Sequence, residues 1–459
     1  MNLPVVVISD QHIASGPLDD CDAQLESHLV AFVDSLFPRL GALELVLNGD
    51  VLDFVQAEPW SGAELESTSP NGIPLCFTEA QSIQKLESIR KAHPGVFDAL
   101  GRFLERSADN RLTILPGNHD ADFHWAGVRQ RFETFVGPTQ FVLDPVYRPV
   151  SCPSVWIEHG HQSDPVNCFE WKEAPYWSKE SPPIFIDPTG TPRLYECPGT
   201  RFLLKFMNRL DNEYPFVDNV KPFSRFVKIF GSSAFAPGYG SLKVALTVGR
   251  MLAYINTLVH HHRKDVLSHG TASEPGVADY LRKRFSTTSK LELESIARKL
   301  RDHGVILEQP LAMSMAVPAE AERLLAVFDE HPELLAGLEA AGAATLGGAI
   351  PGTLTMAAGF VADETKALTE AADRALATPG VNLVLMGHTH EAVARSTRSY
   401  INTGSWTRYY RYQDGQATAS WDVLRTDSYT TFPYQLNYVE ILNGRAADAR
   451  LATYHERHA

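Results

Sequence analysis

Five short groups of residues carry side chains able to do metal chemistry: Asp10-Gln11-His12, Gly49-Asp50-Val51-Leu52-Asp53, Gly117-Asn118-His119-Asp120, His159-Gly160-His161 and Gly387-His388-Thr389-His390. Carboxylate, imidazole and amide oxygen form a mixed set of hard and borderline donors. Such a set suits manganese, iron or zinc, and it differs from an all-thiolate site. Residues i and i+2 of an extended segment point the same way, so the spacing predicts that Asp10 and His12 grip one ion. By the same rule His388 and His390 address a common centre. Two ions about 3.5–4 Å apart need a shared ligand, for which a carboxylate is the natural bridge. Asp50 stands where that bridge is needed. Gly49, Gly117, Gly160 and Gly387, beside the candidate ligands, allow tight turns and close approach of the backbone. One such group alone is a weak signal, but all five in order make coincidence a poor explanation.

Rigid elements must hold these groups in place. Val5–Ser9, Leu43–Leu47, Leu112–Leu115 and Val155–Glu158 are short apolar runs that each end in a polar cluster, and residues 381–386 and 399–402 supply two more. A helix is predicted from an N-cap at Asp363 through Ala377. Apolar strands separated by helices imply sheets covered by helices, with the chemistry at the strand ends. The pattern reads as one catalytic domain, residues 1–165 and 363–459, interrupted by a mostly helical insertion over 166–362.

The chain has 459 residues and a net charge of −14. That acidic balance counts against general nucleic-acid binding, which relies on Lys and Arg neutralising phosphates. The five cysteines (Cys21, Cys76, Cys152, Cys168 and Cys197) form no CxxC pair, so a reducing compartment is expected and not a disulfide framework. The N-terminal run lacks the basic flank and length of a signal peptide, which predicts a cytoplasmic protein. Residues 201–264 break the acidic pattern, with ten Lys or Arg against three Asp or Glu. There Phe202, Phe206 and Leu210 recur at helical spacing beside Arg201, Lys205 and Arg209. Such a stretch lies on a membrane surface or grips an anionic ligand, which makes Lys205 and Arg209 candidate substrate contacts; a solvated helix face is the plain alternative. Ala340–Ala362 is free of charge over 23 residues. Its glycines and Pro351 argue for a helical hairpin over a membrane span. His260-His261-His262 reads as surface, because three adjacent histidines on a helix cannot all face one ion.

The five groups resemble the motifs of the calcineurin-like metallophosphoesterase superfamily, D-x-H, G-D-x-x-D, G-N-H-D, H-G-x and G-H-x-H, over residues 1–165 and 380–410. The resemblance implies an α/β fold, an α+β sandwich of two mixed sheets packed together and flanked by helices. It implies Asp10, His12, Asp50 and His390 on a first transition-metal ion and Asp50, Asn118, His159 and His388 on a second, manganese foremost, with iron or zinc as alternatives. His119, oriented by Asp120, would stabilise the transition state or protonate the leaving group while a metal-bridging hydroxide attacks phosphorus in line. Asp53 is expected to orient a ligand, His161 is a candidate substrate contact, and His124 and Asp164 are expected not to be ligands. Asn402–Trp406 looks like the family's structural turn after the last histidines. Within the superfamily the block order is similar to that of the UDP-2,3-diacylglucosamine hydrolase group, although His119 stands where that group carries Arg. The expected substrate is a phosphorylated small molecule or a lipid-linked one, reached with peripheral membrane contact. A nuclease or nucleotide phosphodiesterase with the same centre, and a non-catalytic binding module, are the rival readings.

Overall fold

The structure, a computed structural model, describes residues 3–58, 77–164, 166–169, 178–187, 189–197 and 199–200, scattered residues between 203 and 327, and most of 364–455. Its strands are β1 (Val5–Ile8), β2 (Glu44–Asn48), β3 (Arg111–Leu115), β4 (Gln140–Phe141), β5 (Val155–Ile157), β6 (Ile184–Ile186), β7 (Pro192–Leu194), β8 (Leu383–Met386), β9 (Val393–Ala394), β10 (Tyr400–Asn402), β11 (Asn437–Ile441) and β12 (Ala449–Thr453). The helices that matter here are α1 (Ala23–Leu40), α2 (Glu79–Ala92), α3 (Pro94–Glu105), α4 (Ala126–Val136), α5 (Lys290–Asp302) and α6 (Glu364–Leu376).

One sheet has the order β12-β11-β1-β2-β3-β4 and a second the order β5-β8-β10-β9. Both are mixed. β1 to β4 run parallel, and β11 is antiparallel to β1 and to β12. In the second sheet β5, β8 and β10 are parallel, with β9 antiparallel at the edge. Each sheet draws strands from both sides of residues 166–362.

The two-residue period of a strand separates two cores. Val5 and Val7 of β1 join Val46, Leu383, Leu385 and Ile401 between the sheets. Val6 and Ile8 face the other way, with Leu45 and Leu47, onto Phe32 of α1, Leu86 of α2 and Phe97 of α3. On the far side Val384 and Met386 pack against Leu368 and Ala372 of α6. The layers therefore run helix, sheet, sheet, helix, the expected sandwich. Local signals set the helix ends. Asp22 caps α1 by accepting from the Leu25 amide, Thr78 and Gln81 form a capping box on α2, and Pro94 opens α3 where its missing N–H is harmless.

Residues 184–194, expected within a helical region, instead form the β6–β7 hairpin. Asp187 Oδ1 accepts from the amides of Thr189 and Thr191 at 2.8 and 2.9 Å, an Asx-type turn that the helical reading overlooked. Cys21, Cys152, Cys168 and Cys197 are free thiols. Among the described residues no helix is long and apolar enough to cross a membrane. The expected N-cap Asp363, the charge-free stretch Ala340–Ala362 and the histidine run at 260–262 lie outside the described residues.

Candidate metal centre

Each of the five groups leaves the carboxyl end of a parallel strand: Asp10 after β1, Asp50 after β2, Asn118 after β3, His159 after β5 and His388 after β8. Three overlapping clusters of ligand atoms result, each with its atoms within 4.8 Å of one another: Asp10, His12 and His390; His12, Asp50 and His119; and Asp50, His159 and His388. These buried groups are able to hold metal ions. Asp50 belongs to two of the clusters, and its Oδ2 lies 3.1 Å from His159 Nε2 and 3.8 Å from His12 Nε2.

The backbone at the ligands is unusual. Asp10, His12, Asp50, His388 and His390 have φ between 45° and 73°, and among the described residues they are the non-glycine positions with positive φ. Side chains with a Cβ rarely adopt this left-handed region. The convergence of Asp10 with His12 thus comes from turned backbone and not, as the i, i+2 argument assumed, from an extended segment. His388 and His390 are also divided, His388 with Asp50 and His390 with Asp10. Backbone contacts hold these turns. Asp10 N donates to Gly49 O at 3.0 Å and His12 N to Asp50 O at 2.9 Å, while His388 N donates to the Asp10 carboxylate at 3.0 Å. The Asn402–Trp406 turn buttresses both ends: Asn402 Nδ2 donates to Gly387 O at 2.7 Å and Trp406 N to Asp10 O at 3.0 Å.

Second partners fix the imidazole tautomers. His159 Nδ1 donates to Asn48 O at 2.8 Å, and His12 Nδ1 donates to Asp53 Oδ2 at 3.0 Å. Both rings therefore turn Nε2 inward, toward Asp50. His12 Nε2 and His390 Nε2 stand at hydrogen-bond distance, 2.9 Å, close enough to address one cation. His388 Nε2 is held at 3.0 Å by Asp164 Oδ2, which leaves Nδ1 to address an ion. Asn118 Oδ1 is buried and accepts no hydrogen bond among the described residues; a buried acceptor without a partner is costly, and an ion would satisfy it. Two glycines are required by this crowding. A Cβ at Gly117 would come within 2.2 Å of Asp50 Oδ1, and one at Gly49 within 2.3 Å of His159 Nδ1.

The electrostatics follow from burying these groups together. Burial opposes charge on Asp50, yet His159 and His119 outweigh it and hold the carboxyl well below its usual range. His159 is lowered by burial but raised further by Asp50 and Asp10, reaching about 10. His119 is raised to about 9, with Asp53 and Asp50 overcoming burial. Burial wins at His390, pushed down to about 3 despite Asp10.

Asp120 does not orient His119. His119 Nδ1 instead meets Asp53 Oδ2 at 2.6 Å. The Asp120 carboxylate turns away to accept from Val51 N at 2.8 Å and Asp50 N at 3.3 Å, and from Gly117 N, tying the second and third groups together. Burial and the Asp50 charge raise its carboxyl to about 7. Asp53 has the orienting role expected of it, toward His12 and also toward His119. His161 is buried, with its ring centroid 5.3 Å from that of His159 and 6.5 Å from that of His388; burial and those two neighbours lower its pKa well below the usual value. Asp164 belongs to none of the ligand clusters and serves as the partner of His388, a role the sequence reading missed. Lys205 and Arg209 lie outside the described residues.

Comparison with protein-family models, curated proteins and solved structures found no match to the chain.

Proposed function

We propose that the chain is a phosphoesterase of the calcineurin-like kind, hydrolysing a phosphate ester or a pyrophosphate with two transition-metal ions, manganese foremost. The observation that carries this reading is Asp50: a single buried carboxylate shared by two ligand clusters, one also holding His12 and His119 and the other His159 and His388. By this reading Asp10, His12, Asp50 and His390 would hold one ion, and Asp50, Asn118, His159 and His388 the other. When bound, such a pair supplies an activated water and neutralises charge on the phosphoryl group.

The chain's own residues do the rest. Asp53 holds the His119 ring by its Nδ1. His119 is partly exposed, whereas Asp10, His12, Asp50, Asn118, His159, His388 and His390 are buried. Its side chain is the more accessible by a small margin, 11% against 8% for His12, and by this reading it would meet the substrate. In the ion-free chain Asp53 and Asp50 raise its pKa to about 9 against burial; by this reading it would donate a proton to a departing oxygen. Asp120 and the Asn402–Trp406 turn tie the loops together through their hydrogen bonds. The substrate is a phosphorylated small molecule or a lipid-linked one; the basic, apolar stretch 201–264 is the reason to include the latter.

The test is turnover of p-nitrophenyl phosphate and of its bis ester by protein loaded with Mn²⁺, alongside metal analysis by mass spectrometry. Two ions per chain and metal-dependent turnover are expected. Metal-replete protein that hydrolyses neither ester, nor any member of a panel of nucleotides, nucleotide sugars and phospholipid head groups, would sink the proposal.

A further inference from the structure

Lys221 is a cation that the five metal motifs do not supply. Its neighbours Val220 and Pro222 are buried, while the lysine itself is partly exposed. Contacts on either side seat this segment on the loops of the candidate centre. Asn219 Nδ2 donates to Asp20 Oδ2 at 2.8 Å, on the loop between His12 and α1, and Asn219 O accepts from Tyr410 N at 3.2 Å. Beyond the lysine, Arg225 pairs at 2.8 Å with Glu391, the residue after His390, and Thr365 Oγ1 donates to that carboxylate at 2.9 Å. The Phe226 and Phe230 rings then pack on Trp421, 5.8 Å between centroids in each case, and Trp421 Nε1 donates to Phe230 O at 3.1 Å. Lys221 is therefore held from two sides, through a residue beyond His12 and through the neighbour of His390.

The electrostatics agree with that placement. The charge of Lys221 opposes protonation of both His119 and His390. Those two rings flank His12, with centroids 4.5 and 4.8 Å from its own, so the ammonium lies toward that side of the centre. The two cations of the segment differ in one respect. Arg225 is engaged by Glu391, whereas Lys221 makes no ion pair or hydrogen bond with any described residue. An ammonium beside residues that would hold metal ions is repelled by those ions unless an anion lies between them. A phosphoryl group is such an anion, and its oxygens accept strong charge-assisted hydrogen bonds from lysine.

We propose that Lys221 binds an oxygen of the phosphate group at the candidate metal centre, so that the segment 166–362 contributes a substrate contact to the site. The inference rests on the phosphoesterase reading and deepens it by naming a substrate-binding residue that the motifs lack.

The experiment is titration calorimetry of inorganic phosphate into Mn²⁺-loaded wild type, Lys221→Met, Lys221→Gln and Lys221→Arg. Metal content and turnover of p-nitrophenyl phosphate are measured on the same samples. Methionine keeps the apolar stem and glutamine a polar end, and both drop the charge that arginine retains. Phosphate affinity should fall about tenfold or more in the two charge-free variants and stay within about threefold in Lys221→Arg, the scale of a charge-assisted hydrogen bond. Metal content should not change. Undiminished affinity in a charge-free variant that melts as wild type does would overturn the inference and leave the phosphoesterase reading standing. So would metal lost along with the affinity, an arginine variant as weak as the methionine one, or misfolding of both charge-free variants, since each makes the lysine a structural residue. Failure of phosphate to bind the metal-loaded wild type would also overturn it, and the phosphoesterase reading falls with it only if the same protein turns over no ester.

Discussion

Asp53 Oδ2 accepts a hydrogen bond from His119 Nδ1 at 2.6 Å, and the same oxygen accepts from His12 Nδ1 at 3.0 Å. One carboxylate atom thus orients both His12, a candidate ion ligand, and the partly exposed His119, the proposed proton donor. Replacing Asp53 by Asn removes the charge and, with the amide oxygen kept on Gln56 N, sets an NH2 where the shared acceptor stood. The expected result is a loss of metal affinity of about 10- to 100-fold, with turnover falling at saturating metal. His119→Ala separates the two effects. It should retain both ions while turnover falls by about 10² or more, the usual scale for a lost acid or electrostatic donor. Metal analysis run beside the kinetics checks this, and a His119→Ala protein that lost its ions would show that the ring is a ligand.

Asp50→Asn should lose metal and activity together, because no other described carboxylate is shared between two clusters. Gly117→Ala should act in the same direction by a different route. Its new Cβ would come within 2.2 Å of Asp50 Oδ1, displacing the bridge while the strands around it stay intact. Mass spectrometry of the metal content and circular dichroism of the same samples would check the pair. A Gly117→Ala protein with a full metal complement would show that the loop can yield.

Metal uptake should release protons and strengthen as pH rises. In ion-free protein His159 keeps its proton up to about 10, yet it must present a neutral nitrogen to an ion. Binding at neutral pH therefore expels at least one proton, and affinity should rise roughly tenfold per pH unit for each proton displaced. Calorimetry in buffers of different ionisation enthalpy counts the protons. Folding stability of the ion-free protein should move the opposite way. His159, and His119 at about 9, have folded values raised above the ordinary one of about 6.5. Their contribution is complete below that ordinary value and is lost as pH climbs through 9 and 10. Melting temperatures of ion-free protein should accordingly fall from about pH 7 to 10, and a flat or rising profile would contradict this.

Asp164→Ala should weaken the ion at the His388 cluster by about 10- to 100-fold while sparing the one at Asp10 and His390. Asp164 holds His388 Nε2 at 3.0 Å and has no such contact with His390. Chelator competition, followed as two separate release steps, distinguishes the sites; equal weakening of both would show that Asp164 acts on the loop and not on one ring.

Much of the centre was legible because parallel strands deliver their ends to one edge of a sheet, so short motifs after apolar runs converge without knowledge of the loops. Partners chosen by loop geometry were not. Asp120 follows His119 directly, and the sequence offered no sign that its carboxylate turns back toward Val51 N. Asp164 is 224 residues from His388, a separation no local pattern bridges; the only hint was a polar side chain one short turn beyond His161. Among the strands, β11 was missed because its Asn-Tyr-Val-Glu-Ile sequence mixes polar and apolar residues. Glu440 there is nonetheless buried, paired with Arg39 at 2.6 Å, and such pairing is what allows a carboxylate into a covered strand.

The left-handed backbone at Asp10, His12, Asp50, His388 and His390 has a consequence for anyone redesigning this chain. Each such residue holds about 1 kcal/mol or more of conformational strain that a glycine would release. A sequence optimised on this backbone for foldability alone would therefore be drawn toward glycine or asparagine at those five positions. It would keep both sheets, gain thermal resistance, and lose the side chains of its candidate metal centre in the same stroke. Engineering for robustness must hold these five side chains fixed and look for its gains elsewhere.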